Sequence, residues 1–127
     1  MHAIALLSSL PLFVGALLSD WAYNSSYQVQ WVNFAAWLIA GGLLLAGPAL
    51  LWGAADLLRS AATRHRRSMT YLSLSLATVV VGFINALVHA KDGWAAMPTG
   101  LMLSAVVVLL AAAASAAGLA GILRRTA

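Results

Sequence analysis

The stretch that decides the fold is WVNFAAWLIAGGLLLAGPALLWGAA at residues 31–55, which leads through an arginine-rich segment into YLSLSLATVVVGFINALVHA at residues 71–90. Neither stretch contains Asp, Glu, Lys or Arg. At about 1.5 Å per residue, some 20 residues of helix cross a hydrocarbon core of about 30 Å. Each stretch therefore predicts a helix that spans a membrane.

Two further apolar runs lie on either side of this pair, at residues 3–21 and 97–123. All four runs lack the regular alternation of apolar and polar residues that is typical of membrane β-strands. A backbone surrounded by lipid must satisfy its own hydrogen bonds, and a helix does so within one segment. The sequence therefore predicts an all-α fold, an integral membrane four-helix transmembrane bundle, with residues 1–127 as a single domain.

The composition excludes the classes of protein that work in water. Hydrophobic residues make up 63% of the chain and charged residues 8%, with a mean hydropathy of +0.93, whereas globular domains carry about 25% charged residues. The absence of cysteine excludes disulfides and thiolate metal sites. The formal net charge of +4 does not indicate a nucleic-acid partner, because the arginines flank the apolar runs instead of lining a soluble element.

The basic residues are concentrated at two places on the chain. Of seven basic residues, six are arginines that lie between the second and third runs or after the fourth: Arg59, Arg64, Arg66, Arg67, Arg124 and Arg125. An excess of arginine in loops marks the cytoplasmic side of a membrane. We therefore expect a multi-pass protein of the bacterial inner membrane, with both termini in the cytoplasm and with residues 24–30 and 91–94 facing the periplasm.

The first run also has the hydrophobicity and the position of a secretory signal peptide. No positively charged segment precedes it, and no clear cleavage site of small residues precedes Trp21. We expect this run to be retained as the first helix.

Small residues at intervals of four predict where the helices approach each other closely. The third run carries such a row, made of Thr78, Gly82, Ala86 and Ala90. In the second run, Pro48 predicts a kink. Rows of this kind suit contacts within one chain and contacts between copies equally well. The sequence therefore does not decide whether the protein forms a homo-oligomer.

A layer of polar and aromatic side chains is predicted at the outer ends of the first and third helices. Asn85, His89 and Asp92 follow one another at intervals of four and three residues, so a helix places them on one face. We predict a ligand-binding outer polar layer formed by Asp20, Trp21, Asn85, His89, Lys91, Asp92, Trp94 and Met97. The alternative is an interfacial cap in which the same side chains meet headgroups and water.

The acidic residues of the chain, Asp20, Asp56 and Asp92, each lie near the expected C-terminal end of a helix. The macrodipole disfavours negative charge there, so we expect each carboxylate to have a basic partner: Arg59 for Asp56, and a histidine or lysine of the outer layer for the other two. An aspartate beside a histidine orients the imidazole, an arrangement typical of a proton acceptor or of a donor to a quinone oxygen.

A second polar layer is predicted at the inner ends of the helices, and it comprises His2, Trp52, Asp56, Arg59 and His65. It is the weaker candidate for a binding site, because its histidines are not expected to lie on a rigid helix. A b-type haem needs two axial ligands at one depth, and the outer layer offers His89 with only Met97 as a weak partner. Haem is therefore less favoured than a quinone. No serine carries the glycine-flanked signature of a nucleophile, and we predict neither catalytic residues nor metal ligands.

Several segments of the chain resemble a known family. They are His2 and Asp20 at the two ends of the first run, ADLLR at residues 55–59, FINALVHAKDGW at residues 83–94, and Met97-Pro98 followed by Gly100. Together they are similar to the family of small four-span bacterial membrane proteins catalogued as domain of unknown function 2231, and the likeness covers nearly the whole chain.

The resemblance implies an association with periplasmic quinoprotein sugar dehydrogenases and c-type cytochromes. It therefore favours a non-catalytic membrane anchor, or a quinone-interacting subunit, for a periplasmic electron-transfer partner such as a dehydrogenase or a cytochrome c. A structural or assembly membrane protein without a redox role is the alternative. A small transporter is less favoured, because the middle of every run is apolar and the charges are confined to the ends.

The orientation is testable by labelling single cysteines, since the chain has none of its own. A membrane-impermeant maleimide added to intact spheroplasts should label Gln28→Cys, and it should leave Thr126→Cys unlabelled until the membrane is permeabilised. The reverse pattern of labelling would overturn the inferred orientation.

Overall fold

Five helices make up the structure, a computed structural model that describes residues 1–60 and 66–127. Four of them are long: α1 (His2–Ser26), α2 (Val29–Arg59), α3 (Arg66–His89) and α5 (Thr99–Thr126). The short α4 (Gly93–Ala96) lies in the connection between α3 and α5. The described residues contain no strand, so the predicted all-α class is confirmed.

Each long helix contains a segment with the length and hydropathy needed to span a membrane. The shortest of these segments, Ser68–His89, has 22 residues and is therefore about 33 Å long, enough to cross a hydrocarbon core of about 30 Å. α2 continues past Pro48 as one helix, and the kink that we expected there stays a prediction. Large apolar side chains such as Trp37, Leu44 and Leu109 lie exposed on the outside of the bundle, where acyl chains cover them in a membrane.

The helices extend beyond the apolar runs from which they were predicted. α1 continues past residue 21, because the hydroxyls of Ser25 and Ser26 donate to carbonyl oxygens of the preceding turn and are satisfied within the helix. Tyr27 ends α1 in the left-handed conformation, with a φ of 56°. Of residues 24–30, which we expected to face the periplasm, only Tyr27 and Gln28 lie outside the helices.

The long helices form a bundle in which each one packs mainly against two others. α1 and α3 both lie against α2 and α5, so that α1 and α3 occupy opposite corners. Consecutive helices run antiparallel, and α1 and α3 therefore point in the same direction. We call the end that holds Met1, Arg59 and Arg125 the terminal end, and the end that holds Tyr27 and Trp94 the hairpin end.

Inward side chains recur at intervals of three or four along every long helix, the spacing that is typical of left-handed helix packing. In α2 they are small or apolar: Val32, Ala35, Ile39, Gly42, Ala46, Ala49 and Gly53. In α3 they are mostly polar: Tyr71, Ser75, Thr78, Gly82, Asn85 and His89. α3 thus turns its polar stripe inward and its apolar side chains outward, as lipid around the bundle requires.

The small-residue row predicted on α3 is only partly buried. Thr78 and Gly82 face inward, but Ala90 is exposed, because a strict interval of four drifts away from an interface that repeats about every 3.5 residues. Asn85 and His89 take the inward positions instead. The polar side chains of this helix are therefore part of its packing surface.

The close approach of α1 and α2 depends on Gly42. A Cβ at this position would lie 2.5 Å from the ring of Phe13, which is buried in the apolar core. The ring thus occupies the space that a side chain at Gly42 would need.

Gly42→Ala should destabilise the bundle, because the new methyl group must displace the buried Phe13 ring, and overpacking of this kind costs about 1–3 kcal/mol. Gly47→Ala is the matched control on the same helix, since a Cβ there meets no atom within 4 Å. Thermal unfolding of the detergent-purified protein should show a lower midpoint for Gly42→Ala alone. Equal midpoints for the two variants would contradict this packing of α1 on α2.

Candidate functional site

Four polar side chains are buried together near the hairpin end, and we call Asp20, Asn85, His89 and Ser104 the hairpin-end cluster. His89 Nε2 lies 2.7 Å from Asp20 Oδ1, and both side chains are 0% exposed. Ser104 Oγ donates to the second carboxylate oxygen of Asp20, and Asn85 Nδ2 donates to Ser104 Oγ at 2.9 Å. The cluster therefore joins α1, α3 and α5 inside the bundle.

The contact between Asp20 and His89 crosses the axis of the bundle, because α1 and α3 occupy opposite corners. Gly100 makes room for the imidazole, since a Cβ at Gly100 would lie 2.8 Å from His89 Cε1. α5 can therefore approach α3 closely enough for Ser104, one turn after Gly100, to reach the carboxylate.

The position of the protons on His89 follows from the atoms that face it. His89 Nδ1 lies 2.9 Å from the carbonyl oxygen of Asn85, which can only accept, so Nδ1 carries a hydrogen. One further proton lies between His89 Nε2 and Asp20 Oδ1. The pair is then either an imidazolium with a carboxylate or an imidazole with a carboxylic acid, and in both forms its net charge is zero. This neutrality avoids the large cost of an isolated buried charge.

Asn85 fixes the direction of the hydrogen bonds in the cluster. Its amide Nδ2 can only donate, so Ser104 Oγ must use its own hydrogen for Asp20. The other amide atom, Asn85 Oδ1, has no hydrogen-bond partner among the described residues, and an unpaired buried acceptor of this kind costs about 1–3 kcal/mol. The hydrogen bond that Nδ2 donates to Ser104 therefore fixes the orientation of the Asn85 side chain.

The structure brings together three of the predicted outer-layer residues, Asp20, Asn85 and His89. Met97 is partly buried and packs beside the apolar cluster that contains Tyr23. The other predicted members are exposed at the surface: Trp21, Lys91, Asp92 and Trp94. The outer layer is thus divided between a buried cluster and an exposed aromatic and charged rim.

Two of the acids lie elsewhere on their helices than the sequence predicted. α1 continues to Ser26 beyond Asp20, and Asp92 is the N-cap of α4, where the macrodipole favours negative charge. Asp56 does lie in the last turn of α2, but its ion-pair contact is with His2. The prediction that Arg59 pairs with Asp56 is therefore wrong, whereas Asp20 pairs with His89, one of the two basic residues of the outer layer that we expected as partners.

A second polar group lies at the terminal end. His2 Nδ1 lies 3.1 Å from the hydroxyl of Tyr71, and His2 Nε2 lies 3.8 Å from Asp56 Oδ2. Among the other predicted inner-layer residues, Trp52 and Arg59 are exposed. His65 lies outside the described residues.

The two polar groups lie on the same faces of α1 and α3. Asp20 follows His2 by 18 residues, and His89 follows Tyr71 by 18 residues, which corresponds to about five turns of 3.6 residues. The groups are therefore about 27 Å apart along the bundle, close to the thickness of a hydrocarbon core. A polar contact thus joins this parallel pair of helices at two levels, which are separated by about the thickness of a hydrocarbon core.

Sequence reasoning missed two members of these groups, Tyr71 and Ser104. The spacing of five helical turns between Tyr71 and His89 is a signal that could have found Tyr71. Ser104 carries no comparable signal, because a serine in a membrane helix ordinarily bonds to its own backbone, as Ser75 does to the carbonyl of Tyr71.

The hairpin-end cluster does not fit a haem or a directly bound quinone. Both ring nitrogens of His89 already face acceptors, so neither is free to ligate iron. The complete burial of His89 and Asp20 also leaves no approach for a quinone oxygen. Within residues 1–60 and 66–127, no three His, Asp or Glu side chains form a group that could hold a metal ion.

Comparison with known families matches residues 1–123 to the family described as "Predicted membrane protein (DUF2231)". The chain belongs to this family. The resemblance carried by the FINALVHAKDGW segment and its companions is thereby confirmed, and the four membrane-spanning helices of this DUF2231 protein agree with the family description. Comparisons with curated proteins and with solved structures found no match.

Ser104→Ala should destabilise this DUF2231 protein, because it leaves Asn85 Nδ2 without an acceptor and Asp20 Oδ2 without a donor, at a cost of about 1–3 kcal/mol for each group. Ser115→Ala is the control on the same helix. Ser115 is also buried, and its hydroxyl has no partner in the described part of the chain, so its loss should be neutral or mildly stabilising.

Unfolding of the three proteins in mixed detergent micelles with increasing dodecyl sulfate, followed by circular dichroism, measures both effects. A Ser104→Ala variant as stable as the wild type would contradict the hydrogen-bond geometry of the hairpin-end cluster.

Proposed function

We propose that this membrane protein is a non-catalytic anchor subunit of the bacterial inner membrane for a periplasmic electron-transfer partner, such as a dehydrogenase or a cytochrome c. The observation that carries the anchor role is the closure of the hairpin-end cluster. Its side chains bond to one another, and Asp20 and His89 are withdrawn from the surface. Such a cluster suits the rigid joining of three helices better than it suits chemistry on a substrate.

The proposed orientation is supported by the arginines. Arg59, Arg124 and Arg125 lie at the terminal end, whereas Lys91 lies at the hairpin end. The excess of positive charge favours a cytoplasmic position for the terminal end. A periplasmic partner would then meet the hairpin end.

An aromatic surface at the hairpin end supports a docking role. Trp94 is 81% exposed, and its ring stacks on Tyr27 with 5.9 Å between the ring centroids. Tyr27 in turn lies edge-on to the buried Tyr23, at 6.3 Å. Aromatic rings that are exposed but held in place supply the contacts that protein interfaces favour.

The anchor role is favoured over a quinone-interacting role at the hairpin-end cluster. A quinone there would need to displace α5, because Gly100 lies directly against the imidazole of His89. In the proposed complex, the partner itself transfers electrons to a membrane quinone. The protein then fixes the position of that partner at the membrane surface.

Removal of the protein from its host should release the partner from the membrane. Quinone-linked dehydrogenase activity, or the absorbance of c-type haem, should move from washed membranes to the periplasmic fraction. The wild-type protein and Trp52→Ala, a control at the terminal end, should restore attachment, whereas Trp94→Ala should weaken it by about tenfold.

An activity that stays on the membrane without the protein would overturn the proposal. A partner that copurifies with the protein but carries no redox centre would also overturn it, and would favour the alternative of a structural or assembly protein without a redox role.

A further inference from the structure

A cavity lies at the terminal end of the bundle, away from the hairpin-end cluster. It has a volume of about 260 Å³. All four long helices contribute to its wall, which includes the apolar side chains of Leu57, Leu72 and Ile122. On the α5 side of the wall, Gly121 leaves open space, since a Cβ there would meet no atom within 4 Å.

Two side chains of opposite charge, Asp56 and Arg125, line this cavity together with the N-terminal residue Met1. Within the described residues they form no ion pair with each other, and Arg125 has no other ion pair or hydrogen bond. Among the described residues, His2 carries the basic side chain within 4 Å of the Asp56 carboxylate, and its Nε2 lies 3.8 Å away, beyond hydrogen-bond distance. The side chain of Asp56 remains 47% exposed and that of His2 27% exposed. Both charges are thus available to a ligand.

We propose that this cavity binds a phosphoethanolamine zwitterion, with its ammonium group against Asp56 and its phosphate against Arg125. A primary ammonium supplies the donors that the carboxylate lacks, and the guanidinium fork matches two phosphate oxygens. A purely anionic group would be attracted by Arg125 but would face the negative charge of Asp56. The pair of opposite charges therefore selects a ligand that carries both.

The depth of the cavity favours a membrane phospholipid as the source of this headgroup. His2 and Tyr71, which line the cavity, lie about 27 Å from the hairpin-end cluster along the bundle, near the opposite edge of the hydrocarbon core. The apolar wall suits the glycerol and the first methylene groups of a lipid. Free phosphoethanolamine offers the same polar groups without this apolar part.

Native mass spectrometry of the full chain in detergent measures the lipid preference after exchange with defined lipids. Phosphatidylethanolamine should be retained about tenfold more than phosphatidylcholine, whose quaternary ammonium donates no hydrogen bond, and about tenfold more than phosphatidylglycerol. Displacement of the bound lipid by free phosphoethanolamine would support the site and assign it to the soluble compound. Equal retention of phosphatidylglycerol and phosphatidylethanolamine would overturn the proposal.

Charge variants test the two contacts. Asp56→Asn and Arg125→Gln should each lower retention of phosphatidylethanolamine by about tenfold, the usual effect of losing one charge-assisted hydrogen bond. Arg124→Gln is the matched control, because Arg124 lines a separate depression beside Thr70. A loss as large for Arg124→Gln as for Arg125→Gln would mean that the basic end attracts lipid without a defined site, and would overturn the proposal.

A change of volume without a change of charge provides an independent test. A Cβ at Gly121 meets no atom within 4 Å, and the same holds at Gly47, but only Gly121 lines the cavity. Gly121→Leu should fill the space and abolish retention of phosphatidylethanolamine, while Gly47→Leu should preserve it. Thermal unfolding of both variants shows whether they fold, and retention by a folded Gly121→Leu protein would overturn the proposal.

Discussion

A carboxyl group inside a bundle that lipid surrounds can persist only with a partner, and the contact between Asp20 and His89 provides it. The contact contains one shared proton and has no net charge, so it avoids the cost of a single buried ion. It also joins α1 to α3, two helices at opposite corners that make few other contacts. The pair therefore constrains the distance between these helices at the hairpin end, as the contact of His2 with Tyr71 does at the terminal end. Ser104 extends the constraint to α5.

The two ends of the bundle use the same faces of α1 and α3 in different ways. At the hairpin end, Gly100 allows α5 to close over His89, and the donors and acceptors are nearly balanced within the protein. At the terminal end, small residues leave a cavity, and Asp56 lies too far from His2 for a hydrogen bond. A closed cluster stabilises helix packing, whereas an open one keeps charge available for a ligand. The first end thus supports a structural role and the second a binding role.

The fold was largely predictable from the sequence, because length and hydropathy decide whether a segment can cross a membrane. The ends of the helices were less predictable, since serines such as Ser25 and Ser26 are polar in the sequence but satisfied inside a helix. The common face of Asn85 and His89 followed from their spacing. The pairing of His89 with Asp20, and not with another acid, did not follow from the spacing of residues, because it depends on how far each helix extends.

Partners on other helices were the least predictable part of the site. Ser104 reaches Asp20 only because α5 is rotated and pressed against α3 at Gly100, and neither fact is encoded in the residues around Ser104. The terminal-end cavity was likewise not predictable from the sequence, since it arises where small residues of separate helices, Gly53 and Gly118 among them, come together. Spacing within one helix is readable from a sequence, whereas the rotation of one helix against another is a property of the whole bundle.

Lipid removes the hydrophobic drive for helices to associate, so close packing and internal hydrogen bonds must define the bundle. The polar stripe of α3 serves this purpose, and its effect reaches the hairpin end. Asp20 and His89 hold α1 and α3 together just before the segments that carry Tyr27 and Trp94, whose rings stack on each other. An aromatic surface built from two separate connections keeps its shape only if the helices beneath it are fixed. The buried pair therefore links the packing of the bundle to the geometry of the surface that we propose for the partner.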